Sequence, residues 1–249
     1  MENKIAVFID LENLVLGDRQ SGIAFDINKI LERLLEKGKI VAKKAYCDWQ
    51  AYPKEKESLH QAAIELIEIP HRKMTGKNSA DIHLVVDVME MCYAKEHINF
   101  FAILSGDSDF SPLVSKLKEN GKTVIGVGRK EASSALLISN CDEFLFYEDL
   151  FRPAGEPPKI KGLPRKKAQV FYWLLDAIQA LMRENKEIFF ASTIKETIKR
   201  KRPSFDEGEF GYRSFQELLD DARANGILTL AKHEKSGTYI VTGFGAGGA

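Results

Sequence analysis

The sequence predicts an α/β fold: a parallel, doubly wound sheet with helices on both faces, followed by a small winged-helix-like domain. Three observations carry this expectation. Short β-rich runs alternate with helical patterns over the first 150 residues, a proline-rich stretch follows, and three helical patterns with two short strands come after it. Strands separated by helices make βαβ units, which close into parallel sheets.

Taken in order, the expected strands of the first part are Ile5–Ile9, Ile40–Cys47, Ile64–Ile69, Phe100–Leu104 and Thr123–Val127. The helical patterns between them lie near Asp26–Lys37, Lys54–Ala63, Ala80–Ala94 and Ser111–Asn120. The stretch Phe151–Lys167 holds four of the eight prolines and reads as a linker. Beyond it, Ala168–Glu184 has an apolar face of Val170, Phe171, Leu174, Leu175, Ile178 and Leu181. A shorter helix, Ser192–Arg200, offers Thr193 with Glu196 as a capping box. A third, from about Tyr212 to Ala224, stops at Asn225-Gly226, a C-cap signal. Two β-like runs, Ile227–Leu230 and Thr238–Val241, flank a turn at Lys235–Gly237. The expected boundaries are therefore a first domain at 1–150, a linker at 151–166, a second domain at 167–242 and a disordered tail at 243–249.

Composition narrows the class of protein. Of 249 residues 44% are hydrophobic, enough for buried cores. No apolar run approaches the ~20 residues that span a bilayer. The first residues lack the regions of a signal peptide, so the expectation is a cytoplasmic protein without a membrane partner. Cys47, Cys92 and Cys141 are odd in number and widely spaced, which reads as reduced, mostly buried thiols rather than a zinc site. The formal net charge is zero but unevenly spread. From Ile160 onward there are 15 Lys and Arg against 11 Asp and Glu, and before it 21 against 25. An acidic body with a basic second domain is compatible with nucleic acid.

In an open parallel sheet, ligands bind beyond the carboxyl ends of the strands. The first strand ends in Ile9-Asp10-Leu-Glu-Asn13 and the fourth in Leu104-Ser105-Gly-Asp107-Ser-Asp109. Asp81 opens the helix after the loop His71–Ala80. Three chain segments can thus bring Asp10, Asp81, Asp107 and Asp109 to one sheet edge, with Asn13 and Ser105 as neutral groups to orient a carboxylate, a water or a phosphate. Crowded carboxylates raise one another's pKa and call for cations. Hard divalent ions such as Mg²⁺ or Mn²⁺ take oxygen ligands of this kind and serve phosphodiester hydrolysis.

Each residue also has a structural reading. Asp109 before Phe110-Ser-Pro112 suits a helix N-cap, and Asp81 suits a first helical turn. Asp87 lies roughly 120° around the helix from Asp81 and reads as a supporting or a buried, hydrogen-bonded acid. Glu12 reads as solvated. Arg72, Lys73 and Lys77 precede Asp81 and suit either a phosphate backbone lying across the acidic edge or a solvated loop.

These segments resemble a known family. Val7-Phe-Ile-Asp-Leu-Glu-Asn13, Lys77-Asn-Ser-Ala-Asp81 leading to Asp87, Leu104-Ser-Gly-Asp-Ser-Asp-Phe-Ser-Pro-Leu113 and Gly121-Lys-Thr-Val-Ile-Gly-Val127 resemble the NYN domain of the PIN-like nuclease superfamily, whose bacterial members are often called LabA-like. The resemblance covers about residues 3–150. It implies a Rossmann-like α/β/α fold and Mg²⁺- or Mn²⁺-dependent cleavage of RNA, with Asp10, Asp81, Asp107 and Asp109 holding metal and Asn13 and Ser105 supporting.

The second part has its own signature. Pro203-Ser-Phe-Asp-Glu207 followed by Phe210-Gly-Tyr-Arg-Ser-Phe-Gln-Glu-Leu-Leu219 resembles an OST-HTH, or LOTUS, domain over about residues 166–242. That resemblance implies a winged-helix-like RNA-binding module. Phe205, Tyr212, Phe215, Leu218 and Leu219 read as its core. The basic run Lys199, Arg200, Lys201 and Arg202 is the candidate RNA contact, or else simply the cationic end of a helix.

Other Rossmann-like enzymes fit poorly. A haloacid-dehalogenase phosphatase needs D-x-D where Glu12 stands, a receiver domain needs an acid where Ile69-Pro70 stands, and a dinucleotide enzyme needs a glycine fingerprint that is absent. The expectation is a metal-dependent ribonuclease, with RNA captured by the second domain. The alternative is a non-catalytic RNA-binding scaffold on a degenerate nuclease fold. Whether the chain forms a homodimer stays open.

Overall fold

The computed structural model describes residues 3–15, 23–69, 79–151, 160, 162–184, 189–232 and 239–245. The chain divides into two compact units, with the sequence boundary at Arg152–Pro153.

The first unit is an α/β layered structure around a parallel sheet. Strand β1 (Lys4–Asp10) leads into a short helix α1 (Leu11–Val15), and α2 (Ile27–Lys37) is capped by the Asp26 side chain. Then come β2 (Lys39–Cys47), α3 (Pro53–Gln61), β3 (Glu65–Glu68), α4 (Ser79–Ala94) and β4 (Phe100–Leu104). A 3-10 turn at Ser108–Phe110 precedes α5 (Ser111–Glu119), β5 (Thr123–Gly128), α6 (Ala135–Asn140) and β6 (Glu143–Phe146). The strand order is β3-β2-β1-β4-β5-β6, with every pairing parallel. Chain progression therefore reverses direction between β1 and β4, the switch point where open α/β sheets bind ligands.

Strand β1 shows why its sequence is a continuous apolar run. Ile5, Val7 and Ile9 pack in one core with Ile27, Ile30 and Leu34 of α2. Ala6 and Phe8 pack in the other, with Leu84 and Val88 of α4 and Leu113, Val114 and Leu117 of α5. A strand covered on both faces carries apolar residues at both parities.

The second unit holds α7 (Arg165–Arg183), α8 (Ala191–Lys201) and α9 (Phe215–Ala224), with β7 (Phe189–Phe190), β8 (Leu228–Lys232) and β9 (Tyr239–Phe244). Its strands form a separate antiparallel sheet in the order β7-β9-β8. Its core joins the α7 stripe to Phe205, Phe215, Leu218 and Leu219, with Tyr212 partly buried against them. The Tyr212 hydroxyl donates to Asp221 at 2.7 Å.

Several local expectations need correction. Thr193 and Glu196 form no capping box: α8 starts at Ala191 with Phe190 at its N-cap and no side-chain cap, because β7 pairs with β9 and runs straight into the helix. The third helix starts at Phe215, where Ser214 accepts from Glu217 N–H and the Glu217 carboxylate accepts from Arg213 N–H. Its stop is as expected, with Gly226 left-handed at φ 68°. Gly243 and Phe244 belong to β9 rather than to a tail, and Arg165–Lys167 of the expected linker stretch are the first turn of α7. The Lys235–Gly237 turn lies outside the described residues.

Candidate active site

The acidic edge is built at the switch point. The β1–β4 register pairs Ile9 with Leu104, so Asp10 and Ser105 are the next residues on each side. The fully buried Ser105 hydroxyl donates to Asp10 Oδ2 at 2.8 Å. Asn13 Oδ1 accepts the Gly106 N–H at 2.7 Å, and the Asn13 N–H points to Asp10 Oδ1 at 3.5 Å. Asp107 N–H in turn donates to Ser105 Oγ at 3.2 Å. The D-x-x-N and S-G-D segments, remote in sequence, are one hydrogen-bonded unit.

Glycine at position 106 is required by packing. A Cβ there would lie 2.5 Å from the Ala132 carbonyl oxygen, closer than real Cβ atoms come. The loop therefore sits flush against the segment after β5, where Ser134 N–H donates to the Gly106 carbonyl at 2.9 Å.

Asp107 and Asp109 divide the capping role differently from the sequence expectation. Asp107 is the cap: its Oδ1 accepts the Asp109 N–H at 3.0 Å. Asp109 is exposed, and α5 has Phe110 at its N-cap with no side-chain cap. Asp81 stands in the first turn of α4, one turn before the buried stripe of Leu84, Val88 and Cys92. That stripe faces the sheet, so Asp81 is carried toward the same edge.

Electrostatics ties these acids together. Burial pushes the Asp10 carboxyl up to about 7, opposed by the Ser105 hydrogen bond and reinforced by the charges of Asp81 and Glu12. Asp81 is raised by burial and by the charges of Asp107, Asp109 and Glu12. Repulsion of this kind favours a bound cation. The donors are carboxylate, hydroxyl and amide oxygens, which fit a hard divalent ion in kind. In spacing the edge is open: among the described residues, no three His, Cys, Asp or Glu side chains converge on a point that could hold an ion.

Glu12, expected to be solvated, belongs to this edge. It is half-buried, its carboxylate lies 3.9 Å from the Cys47 sulfur, and its charge acts on both Asp10 and Asp81. The signal was its place in the short helix directly after β1. Arg129 also supports this edge, although no sequence motif marks it. It is 2% exposed, donates to the Leu14 carbonyl and lies 4.7 Å from the Tyr147 ring centroid, which anchors α1 behind Asp10.

Asp87 is a structural acid. It accepts from the Tyr46 hydroxyl at 2.7 Å and Lys44 Nζ at 2.9 Å on β2. Burial pushes its carboxyl up, but these two bonds outweigh that and hold it below the usual carboxylate range. Arg72, Lys73 and Lys77 lie outside the described residues.

In the second unit, Lys199 is exposed. Arg200 donates to Thr197 Oγ1 at 3.1 Å. Lys201 and Arg202 both meet Asp176, at 2.9 and 3.3 Å, and Arg202 lies 5.0 Å from the Trp173 ring centroid. Part of the basic run is thus engaged within its own domain. Among the described residues, no helix is long and apolar enough to cross a membrane.

Comparison with known proteins gives the family. An uncharacterized protein of Methanocaldococcus jannaschii is 29% identical over 141 residues, 57% of this chain and 54% of that protein. The chain thus spans about half the length of the curated relative it matches. The crystal structure of a protein of unknown function from Vibrio parahaemolyticus superposes with a TM-score of 0.53 at 25% identity, covering 60% of this chain and 96% of that one. The NYN domain model matches residues 4–148, a span that contains the β1–β4 switch point and every acid of the edge. The chain belongs to the NYN domain family, a PIN-like nuclease family.

Proposed function

We propose that the chain is a Mg²⁺- or Mn²⁺-dependent ribonuclease, an endonuclease whose acidic edge cuts RNA phosphodiesters. The observation that carries this reading is the Asp10–Ser105–Asp107 unit at the switch point, with Asp81 brought to it from α4. Asp10, Asp81 and Asp107 would have to draw in from the open spacing of this edge to hold the cation, with Asp109 beside them. When bound, the ion supplies Lewis acidity toward the phosphoryl oxygen and a water of lowered pKa. The protein's own contribution is orientation. Ser105 fixes one oxygen of Asp10, and Asn13 fixes the backbone of the loop that carries Asp107.

The second unit is, in this reading, a LOTUS-type RNA-binding domain. Its three helices and small antiparallel sheet, its aromatic core around Phe205 and exposed Lys199 support it. Its role is to capture RNA, and cleavage remains with the first unit.

Asp10→Asn tests the site. It should abolish metal-dependent cutting of RNA while leaving RNA affinity within about twofold, since the substitution removes a charge from the edge and leaves the second unit intact. Wild-type cutting by this variant would show that the site is elsewhere. RNA binding without cutting in any metal, by the wild-type protein, would favour a non-catalytic RNA-binding scaffold.

A further inference from the structure

Helix α4 carries two apolar rows where packing on the sheet needs one. Leu84, Val88 and Cys92 are the buried row. The second, Ile82, Val86, Met89 and Tyr93, runs at i, i+4, i+7 and i+11 and lies about 130° around the helix from the first. Ile82, Val86 and Tyr93 are 61%, 57% and 61% exposed, and Met89 is half-buried. Five further large apolar side chains are exposed among the described residues, and no helix or strand carries more than two of them. Single exposed apolar residues are ordinary, whereas a contiguous row marks an interaction surface.

The charges of α4 say what kind of partner fits the row. From Ser79 to Ala94 the helix holds Asp81, Asp87 and Glu90 and neither Lys nor Arg, so it repels a phosphate backbone and suits a protein. The row also matches itself. Its spacing reads the same in both directions, so an antiparallel copy about a two-fold axis sets Ile82 against the second copy's Tyr93 and Val86 against its Met89. The flank is complementary as well. His83 and Glu90 are exposed and lie on one side of the row, within about 20° of each other around the helix. A two-fold axis brings like side to like side, which leaves Glu90 only about 3 Å along the axis from the second copy's His83, and does so twice. Tyr93 is close enough to Lys116 of α5 to act on its charge, so the exposed Lys116–Glu119 pair adds to the patch.

We infer that the outer row of α4 is a self-association surface on which a second copy of this chain docks, antiparallel, about a two-fold axis. One helix face is a small patch against the roughly 800 Å² per partner of a stable dimer, so the association is reversible, with a dissociation constant in the micromolar range. The inference does not depend on the ribonuclease reading. It has a consequence for it, because Asp81 opens the same helix: the two acidic edges come to stand at opposite ends of the helix pair, about 20 Å apart along its axis.

The test is sedimentation velocity of the full chain between about 1 and 200 µM, for wild type, Val86→Glu, Tyr93→Ser, His83→Glu and the double variant His83→Glu with Glu90→Lys. Wild type should pass from monomer to dimer over that range. Val86→Glu and Tyr93→Ser should each weaken association at least about tenfold. Because both sites are exposed, thermal melting at the lowest concentration should not change. His83→Glu should weaken association about threefold or more, and the added Glu90→Lys should restore it, as two contacting positions require. A wild type that stays monomeric throughout, a dimer that Val86→Glu and Tyr93→Ser both keep, or a charge exchange that restores nothing would overturn the inference. A monomeric wild type whose RNA affinity falls in Val86→Glu and Tyr93→Ser would overturn it too, and would give the row to RNA.

Discussion

Ser105 and Asp10 are 95 positions apart in sequence, yet the Ser105 hydroxyl donates to Asp10 Oδ2 at 2.8 Å. The bond joins the ends of β1 and β4 at the point where the sheet reverses its winding. With the Asn13 N–H facing Oδ1, it also fixes the orientation of the Asp10 carboxylate, and the stability of the metal-free edge depends on the charge of that carboxylate.

A first prediction follows from the raised Asp10. With its folded pKa near 7 and an ordinary value of 3.8, the group favours folding fully only below about pH 4 and loses that contribution as pH rises through 7. In chelator, Asp10→Asn should therefore be more stable than wild type at pH 8, by ~2–4 kcal/mol. The gap should shrink at pH 5. Urea unfolding at the two pH values measures it, and an unchanging gap would count against a buried, repelled Asp10. Adding Mn²⁺ should narrow the gap at pH 8 by stabilising wild type alone.

Asp87 makes the opposite prediction. Its folded pKa is depressed by Tyr46 and Lys44 despite burial, so its contribution is present above the unfolded value of ~3.9 and lost as pH falls through the lower folded one. Asp87→Ala should cost ~2 kcal/mol at pH 7 by leaving one buried donor, Tyr46, and one half-buried donor, Lys44, without their acceptor. The difference from wild type should hold steady from pH 8 to pH 5 and close below pH 4. A difference that grew on acidification would contradict the assignment.

The basic run of α8 should split by function. Lys199→Ala should weaken RNA binding about twofold or more and reduce the salt dependence by up to ~1 in slope. Arg202→Ala should act mainly on stability, since Arg202 bonds Asp176 and lies over Trp173, and a loss of ~1 kcal/mol is expected. Binding titrations at several salt concentrations beside thermal melts distinguish the two. Equal effects of both variants on RNA affinity would mean that the run acts as one contact surface.

Much of the first unit was legible in the sequence because its elements are long and strongly periodic. Ile5, Val7 and Ile9 against Ala6 and Phe8 make a doubly buried strand, legible from its shortness and β-branched residues rather than from a period. What escaped was short. The six-residue α6 and the four-residue β6 are too brief to show a period, and β7 exists only because two phenylalanines pair with Ile240 and Val241 far along the chain. The site residues stood out where they followed strands. Glu12 did not, because its meaning comes from Cys47 on a neighbouring strand, a proximity that the sequence does not display. Arg129 was hidden for a related reason: its partners are the carbonyl of Leu14 and the ring of Tyr147, both long-range.

The central claim is metal-dependent chemistry at the switch point. Its most direct test is cleavage of end-labelled single-stranded RNA by the full chain with Mn²⁺, Mg²⁺ or chelator, run beside Asp107→Asn. The account predicts cutting in one or both metals, none in chelator, and a loss of at least about 100-fold in the variant, the scale expected for removing an essential catalytic group. Cutting that persists in chelator, or that Asp107→Asn performs at the wild-type rate, would contradict it.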